Sequence, residues 1–131
     1  MKDLISDDFQ KVVSECIVRH RSILDILSKH QEASARVSRA VAKAATSCGC
    51  ISIRAEKPEI PEHVSLQELP NYMSNHIDGE LCEDCRETIE TEIGTEFFYL
   101  TALCDAFNLN LYDIFMKEHK RLNTLGIFNL S

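Results

Sequence analysis

The first 48 residues contain no glycine and no proline. That stretch therefore lacks the residues that most readily turn or break a chain, and nothing in it opposes a helix. No apolar run anywhere approaches the ~20 residues needed to cross a bilayer. The opening "MKDLISDDF" has none of the charged, apolar and small-residue pattern of a signal peptide, so a cytoplasmic location is expected. Basic residues are scarce in the second half. Residues 58–131 carry four Lys/Arg against fourteen Asp/Glu, whereas residues 1–57 carry ten against seven, and the whole chain is at −7. A nucleic-acid binder needs a basic face, so neither nucleic acid nor membrane is expected as a partner. The imbalance instead favours attraction between the halves, or an acidic surface that holds cations. The 131 residues, 44% hydrophobic and 27% charged, suit a single helical domain over 1–131 with its own core.

What is present is mostly helical rhythm. Phe9, Val13, Cys16, His20, Ile23 and Leu27 recur at spacings of four and three, and Ser34, Val37, Val41 and Ala44 continue the pattern. Ser6 followed by two aspartates reads as an N-terminal cap. One helix of ~40 residues would be ~60 Å long, so a break is expected near residues 28–31, where "SKHQ" matches a capping box. The alternative is a continuous helix in a coiled-coil dimer. Gly49 can end the second helix in the left-handed conformation. Residues 51–64 hold two prolines and read as an extended linker. "SLQE" at 65–68 opens a short helix that Pro70 disturbs. A strong helix follows from Glu83 to about Phe107, with Ile89, Ile93, Phe97, Leu100 and Leu103/Cys104 on one face. Asn108 stops it, and Asn110 caps a last helix over 111–122. The expected fold is all-α, an antiparallel bundle of four to five helices. The apolar residues Leu125, Ile127, Phe128 and Leu130 are too hydrophobic to lie in water, and they are expected to pack across a homodimer.

The chemistry lies in six cysteines. In a cytoplasmic chain these are metal ligands or buried thiols rather than disulfides. "CGC" gives Cys48 and Cys50, and "CEDC" gives Cys82 and Cys85. Zinc takes four tetrahedral thiolate or imidazole ligands, and sequence-close pairs are easily gathered. Cys82 and Cys85 also stand at a helix N-terminus, where the dipole favours thiolate. The expected metal ligands are Cys48, Cys50, Cys82 and Cys85, with zinc the leading ion. An iron–sulfur cluster uses the same ligands, and a redox dithiol or four separate thiols are the other readings. Four protein ligands leave no open position, so the site is structural. Cys16 and Cys104 fall on apolar faces and read as core residues. His76 lies close by in sequence, but four cysteines already complete a site. A clamp there makes the second and third helices antiparallel. Arg36 would then pair with Glu96, Arg39 with Glu92 or Glu96, and Lys43 with Glu87 or Glu90.

Residues 90–122, "ETEIGTEFFYLTALCDAFNLNLYDIFMKEHKRL", resemble the all-α nucleotide pyrophosphohydrolase superfamily, the MazG-like proteins. Those proteins carry an "ELGDVLFYL" helix, a "GIDL" turn and a final helix ending in basic residues. Glu92, Gly94, Phe98, Tyr99, Leu100, Leu109 and Leu111 carry the resemblance, and a glycine inside an otherwise ideal helix makes it more specific. The resemblance implies cleavage of nucleoside triphosphates to monophosphate and pyrophosphate by magnesium held on carboxylates of two helices. Here Glu92 is kept, but Thr95 stands where an aspartate is expected. In "QEASARVSRAV" only Glu32 is acidic. The candidate catalytic residues are Glu92, Glu32 and Glu96, joined by Glu87, and magnesium would be their cofactor. A cation beside Glu92 removes the field that would hold magnesium. Three functions follow. One is a noncatalytic relative with a structural zinc, acting by nucleotide binding or protein association. Another is an active magnesium-dependent pyrophosphohydrolase. The third is a metal- or redox-responsive regulatory module.

Overall fold

The computed structural model describes residues 4–126. It is mainly helical, with α1 at Leu4–Cys16, α2 at Ile23–Lys43, α3 at Glu83–Ala106 and α4 at Leu111–Leu125. A two-stranded antiparallel ribbon joins β1, Ile51–Ile53, to β2, Ile77–Gly79. The all-α expectation thus holds for the helices, while part of the expected linker forms a strand. The terminal residues Ile127, Phe128 and Leu130 lie outside the described residues. None of the described helices is long and apolar enough to cross a membrane.

The break in the N-terminal helical stretch falls at residues 17–22, not near 28–31, and no continuous helix runs through it. Two local facts decide this. Ser22 sits in extended geometry and its hydroxyl accepts from the Leu24 amide at 3.3 Å, while Asp25 favours the first turn electrostatically. Ile17 turns inward and is buried with Val13, Ile26 and Ala102, against which Phe98 and Leu103 pack. Each such apolar side chain contributes roughly 1.5–3 kcal/mol when fully buried, enough to favour a turn over another helical turn. The Ser28–Gln31 box lies inside α2. Ser6 is likewise inside α1 and buried, not at its cap. Cys104 is buried as expected, but Cys16 is exposed at the end of α1.

α2 and α3 lie side by side and run in opposite directions, because Cys48 meets Cys82 at one end and Arg36 meets Glu92 farther along. The pairing is offset by one helical turn from the sequence expectation, which put Arg36 opposite Glu96. Between α2 and Cys48 the chain makes a π-helical turn, Ala44–Cys48. Such a turn holds more residues than an α-turn, so Cys48 is not where an uninterrupted α-helix would put it. The apolar face of α3 is also not all inward. Ala102 and Cys104 are buried, but Ile93, Phe97 and Leu100 are exposed. α3 ends where Asn108 takes a left-handed φ of 55°. Asn110 then caps α4, its side chain accepting from the Asp113 amide at 2.9 Å.

Candidate metal centre

Local structure brings the four cysteines together. Cys48 closes the π-helical turn. Gly49 follows in the left-handed conformation, φ 83°, and its amide bonds Ala44 O at 2.9 Å. That reversal leaves Cys50 at the foot of β1. The chain leaves on β1 and returns on β2, whose last residue, Gly79, pairs with Ile51. Gly79 has φ 90°, and a Cβ there would lie 2.6 Å from Cys50 O. Only glycine allows this approach, and it brings the segment leading to Cys82 beside Cys50. Cys82 is the N-cap of α3. Its sulfur accepts from the Cys85 amide at 3.4 Å, as a capping side chain does.

The four Sγ atoms all lie within 4.8 Å of one another, and Cys48 Sγ is 3.8 Å from Cys82 Sγ. Sulfurs placed about 2.3 Å from a central zinc in a tetrahedron would be about 3.8 Å apart. The set therefore matches the size of a single tetrahedral ion. The four cysteines can hold a metal ion.

Without a metal the thiols compete for protons. The backbone N–H of Cys85, reinforced by the Cys85 thiol, lowers the Cys82 thiol to about 7. The hydrogen bond to Cys82, with desolvation, raises Cys85 to about 12. The arrangement thus holds one thiolate at Cys82 with a protonated neighbour, the hydrogen-bonded state that a cation with four soft ligands would replace. Cys16 and Cys104 are not part of the cluster. Neither is His76, whose Nδ1 accepts from the Glu56 amide at 3.4 Å.

The candidate carboxylates are placed differently. Arg36 stands between two of them, with Nη1 3.5 Å from Glu32 and Nε 3.2 Å from Glu92. Lys29 also reaches Glu32, at 3.2 Å. Glu92 is mostly buried, its side chain 21% exposed, and its Oε2 has no aligned hydrogen bond. The Arg36 charge is close, but its N–H does not point at that oxygen. Glu87 and Glu96 make no ion pair among the described residues, and neither do Arg39 and Lys43. Among those residues, the four cysteines are the one group of three or more Cys, His, Asp or Glu side chains gathered closely enough to share an ion. Reasoning from sequence missed the β1–β2 ribbon and read Gly79 only as the end of the segment before Cys82, although the two together build the approach of the cysteine pairs. The signal was "DGEL", a glycine just ahead of the second pair. Compared with known proteins, the chain matches no family model, no curated protein and no solved structure.

Proposed function

We propose that the protein is a zinc-stapled helical module that acts by association, with a nucleotide or a protein, rather than by hydrolysis. The observation that carries this is the spacing of the four sulfurs. It suits one tetrahedral ion, and it is tighter than the spread of ligands around a multi-iron cluster. Four thiolates complete zinc's coordination, so the ion would supply folding free energy and no open site. Cys48, Cys50, Cys82 and Cys85 would hold it, joining the end of α2 to the start of α3 in an antiparallel helical bundle.

The likeness to the MazG-like proteins belongs to this reading as a proposal resting on residues 90–122. Its hydrolytic chemistry finds less support. A guanidinium lies where a magnesium ion bridging Glu32 and Glu92 would have to sit, and displacing it would expose two carboxylates to each other's charge. The test has two parts. Freshly purified, unchelated protein is expected to contain one zinc per chain, and Cys48→Ser is expected to lose it along with thermal stability. A panel of nucleoside triphosphates with magnesium is expected to stay uncleaved. Metal-free protein would refute the staple. Release of pyrophosphate that Glu92→Gln abolishes, with the fold intact, would refute the noncatalytic reading and favour the active enzyme.

A further inference from the structure

From Asp113 to Gly126 every residue of α4 and its end is exposed. Among the described residues, the hydrogen bonds that tie the helix to the body lie at its start. The Leu111 amide donates to Gln10 Oε1 at 2.9 Å, while Gln10 Nε2 donates to Leu109 O at 2.6 Å, and Asn110 reaches Asp7 at 3.2 Å. Beyond that anchor α4 is a projecting arm. A helix of this length is marginal in water by itself. Yet α4 is amphipathic: Leu111, Phe115, Leu122 and Leu125 follow one another at helical spacings, and Ile114 widens the stripe. Phe115 is 50% exposed and Leu125 is 48% exposed. A stripe of this kind normally faces a core, and beyond the half-buried Leu111 nothing among the described residues covers it.

A second uncovered stripe runs along α3. Ile93, Phe97 and Leu100 are exposed. Beside them Gly94 sits in the helix interior, where glycine costs about 1 kcal/mol relative to alanine. A Cβ at Gly94 would meet nothing within 4 Å, so no contact among the described residues calls for glycine there. It leaves α3 open to close approach from outside. The charges of the two helices are opposite. α3 carries seven Asp/Glu and one Arg, whereas α4 carries three Lys/Arg and two Asp/Glu. Glu87 and Glu90 on α3 have no ion pair among the described residues, and neither do Lys117 and Lys120 on α4.

We infer that α4 of one copy packs its apolar stripe on the α3 stripe of a second copy, reciprocally, in a closed two-fold dimer. The inference rests on the association half of the proposed function and not on the metal. The two stripes together expose on the order of 600 Å² of apolar side chain per copy, against the about 800 Å² per partner of a standard interface. Lys117, one step outside Ile114 on the helix surface, would face Glu90 of the partner copy at the rim, favouring one direction of approach. A two-fold axis uses both stripes of both copies and leaves none open for further growth.

The test uses the full chain in sedimentation at micromolar concentration, with circular dichroism and metal content as controls for folding. Wild type is expected to be a dimer. Phe115→Asp in α4 and Phe97→Asp in α3 are each expected to be monomeric with helicity and metal unchanged. An equimolar mixture of the two variants keeps one intact α4–α3 contact, so it is expected to regain dimer with weaker affinity. Lys117→Glu is expected to weaken the dimer about fivefold, and adding Glu90→Lys is expected to restore it. A monomeric wild type that still carries its metal would overturn the interface and leave the zinc staple standing. A dimer insensitive to Phe97→Asp, or a mixture that stays monomeric, would overturn the α4-on-α3 contact and point to α4 pairing with α4 or to a different partner.

Discussion

Gly79→Ala tests how the cysteine pairs are brought together. Two separate costs arise at this position. An L-residue at φ 90° is in a region that costs roughly 1–2 kcal/mol even without neighbours. The added Cβ would also lie 2.6 Å from Cys50 O and 3.4 Å from Ile51 Cα. Both are backbone atoms, so no side chain can swing aside. Relief requires β1 and β2 to separate by several tenths of an ångström beside Cys50. A metal site tolerates about 0.2 Å in its bond lengths, so the strain would reach an ion held there. Together we expect a loss of about 2–4 kcal/mol of stability in urea and at least a tenfold weaker metal affinity, measured by competition with a chromophoric chelator. Gly49→Ala is the control. It has a similar φ of 83° but nothing within 4 Å of the new Cβ, so only the conformational cost of about 1–2 kcal/mol applies. If the two substitutions cost the same, or if Gly79→Ala leaves metal affinity untouched, the close approach of Gly79 to Cys50 does not set the site.

Two further outcomes are expected. Arg36→Ala should cost about 1–3 kcal/mol, because it leaves the mostly buried Glu92 carboxylate without its cation. Glu92→Gln should cost less, since Arg36 is 61% exposed and water can solvate it; paired urea melts read the asymmetry, and equal costs would refute it. In metal-free protein, alkylation of Cys82 should rise with a midpoint near pH 7, because the Cys85 amide holds its thiolate. Between that value and the ordinary thiol range the unfolded chain binds the extra proton, so the metal-free fold should gain stability as pH rises through this window. Above the ordinary thiol range the trend should reverse, since the folded chain keeps the Cys85 proton that the unfolded chain has lost. A stability flat from pH 7 to 9 would count against the thiolate assignment.

The helices were legible where a periodic stripe met a capping residue. Asn110 and the start of α4 followed from sequence, and so did the end of α3 at Asn108. The pairing of "CGC" with "CEDC" was legible because metal chemistry demands few residue types at short spacing. The break before α2 was not, because the Ser28 box was the expected cap and the structure uses Ser22. The choice between Ser22 and Ser28 was made by where Ile17 and Ile26 could be buried together, a tertiary effect. The ribbon was hidden for a different reason. Strands of three residues give too little alternation to read, and the prolines after β1 suggested only an extended segment. Cys16 matched the apolar rhythm of α1 but lies at its last residue, where the chain turns away from the packed face. On α3 the period was right and the facing was not. The stripe through Ile93, Phe97 and Leu100 is apolar, but α2 packs on the neighbouring side that carries Glu92.

The excursion between Cys50 and Cys82 shows what the proposed staple would have to do. It holds the ribbon and the short helical turn at Leu69–Tyr72. Beyond Ile51, its residues are exposed or half-buried throughout, so little apolar burial holds it. Its order rests on the ribbon and a few backbone bonds, among them Arg54 N–H to His76 O at 2.8 Å. An ion shared by Cys50 and Cys82 would close this loop as a covalent cross-link does, and for about 30 residues that would be worth roughly 3–4 kcal/mol of chain entropy. A two-stranded ribbon alone is marginal in water. Chelation should therefore free the ribbon before it melts the helices. In hydrogen exchange, the Arg54 and strand amides should lose protection when the metal is removed. The amides around Val13, Ile26 and Ala102 should keep it, because their core includes none of Cys48, Cys50, Cys82 and Cys85. Simultaneous loss at all these amides would show that the ion holds the whole fold, and that the apolar contacts of α1, α2 and α3 cannot stand without it.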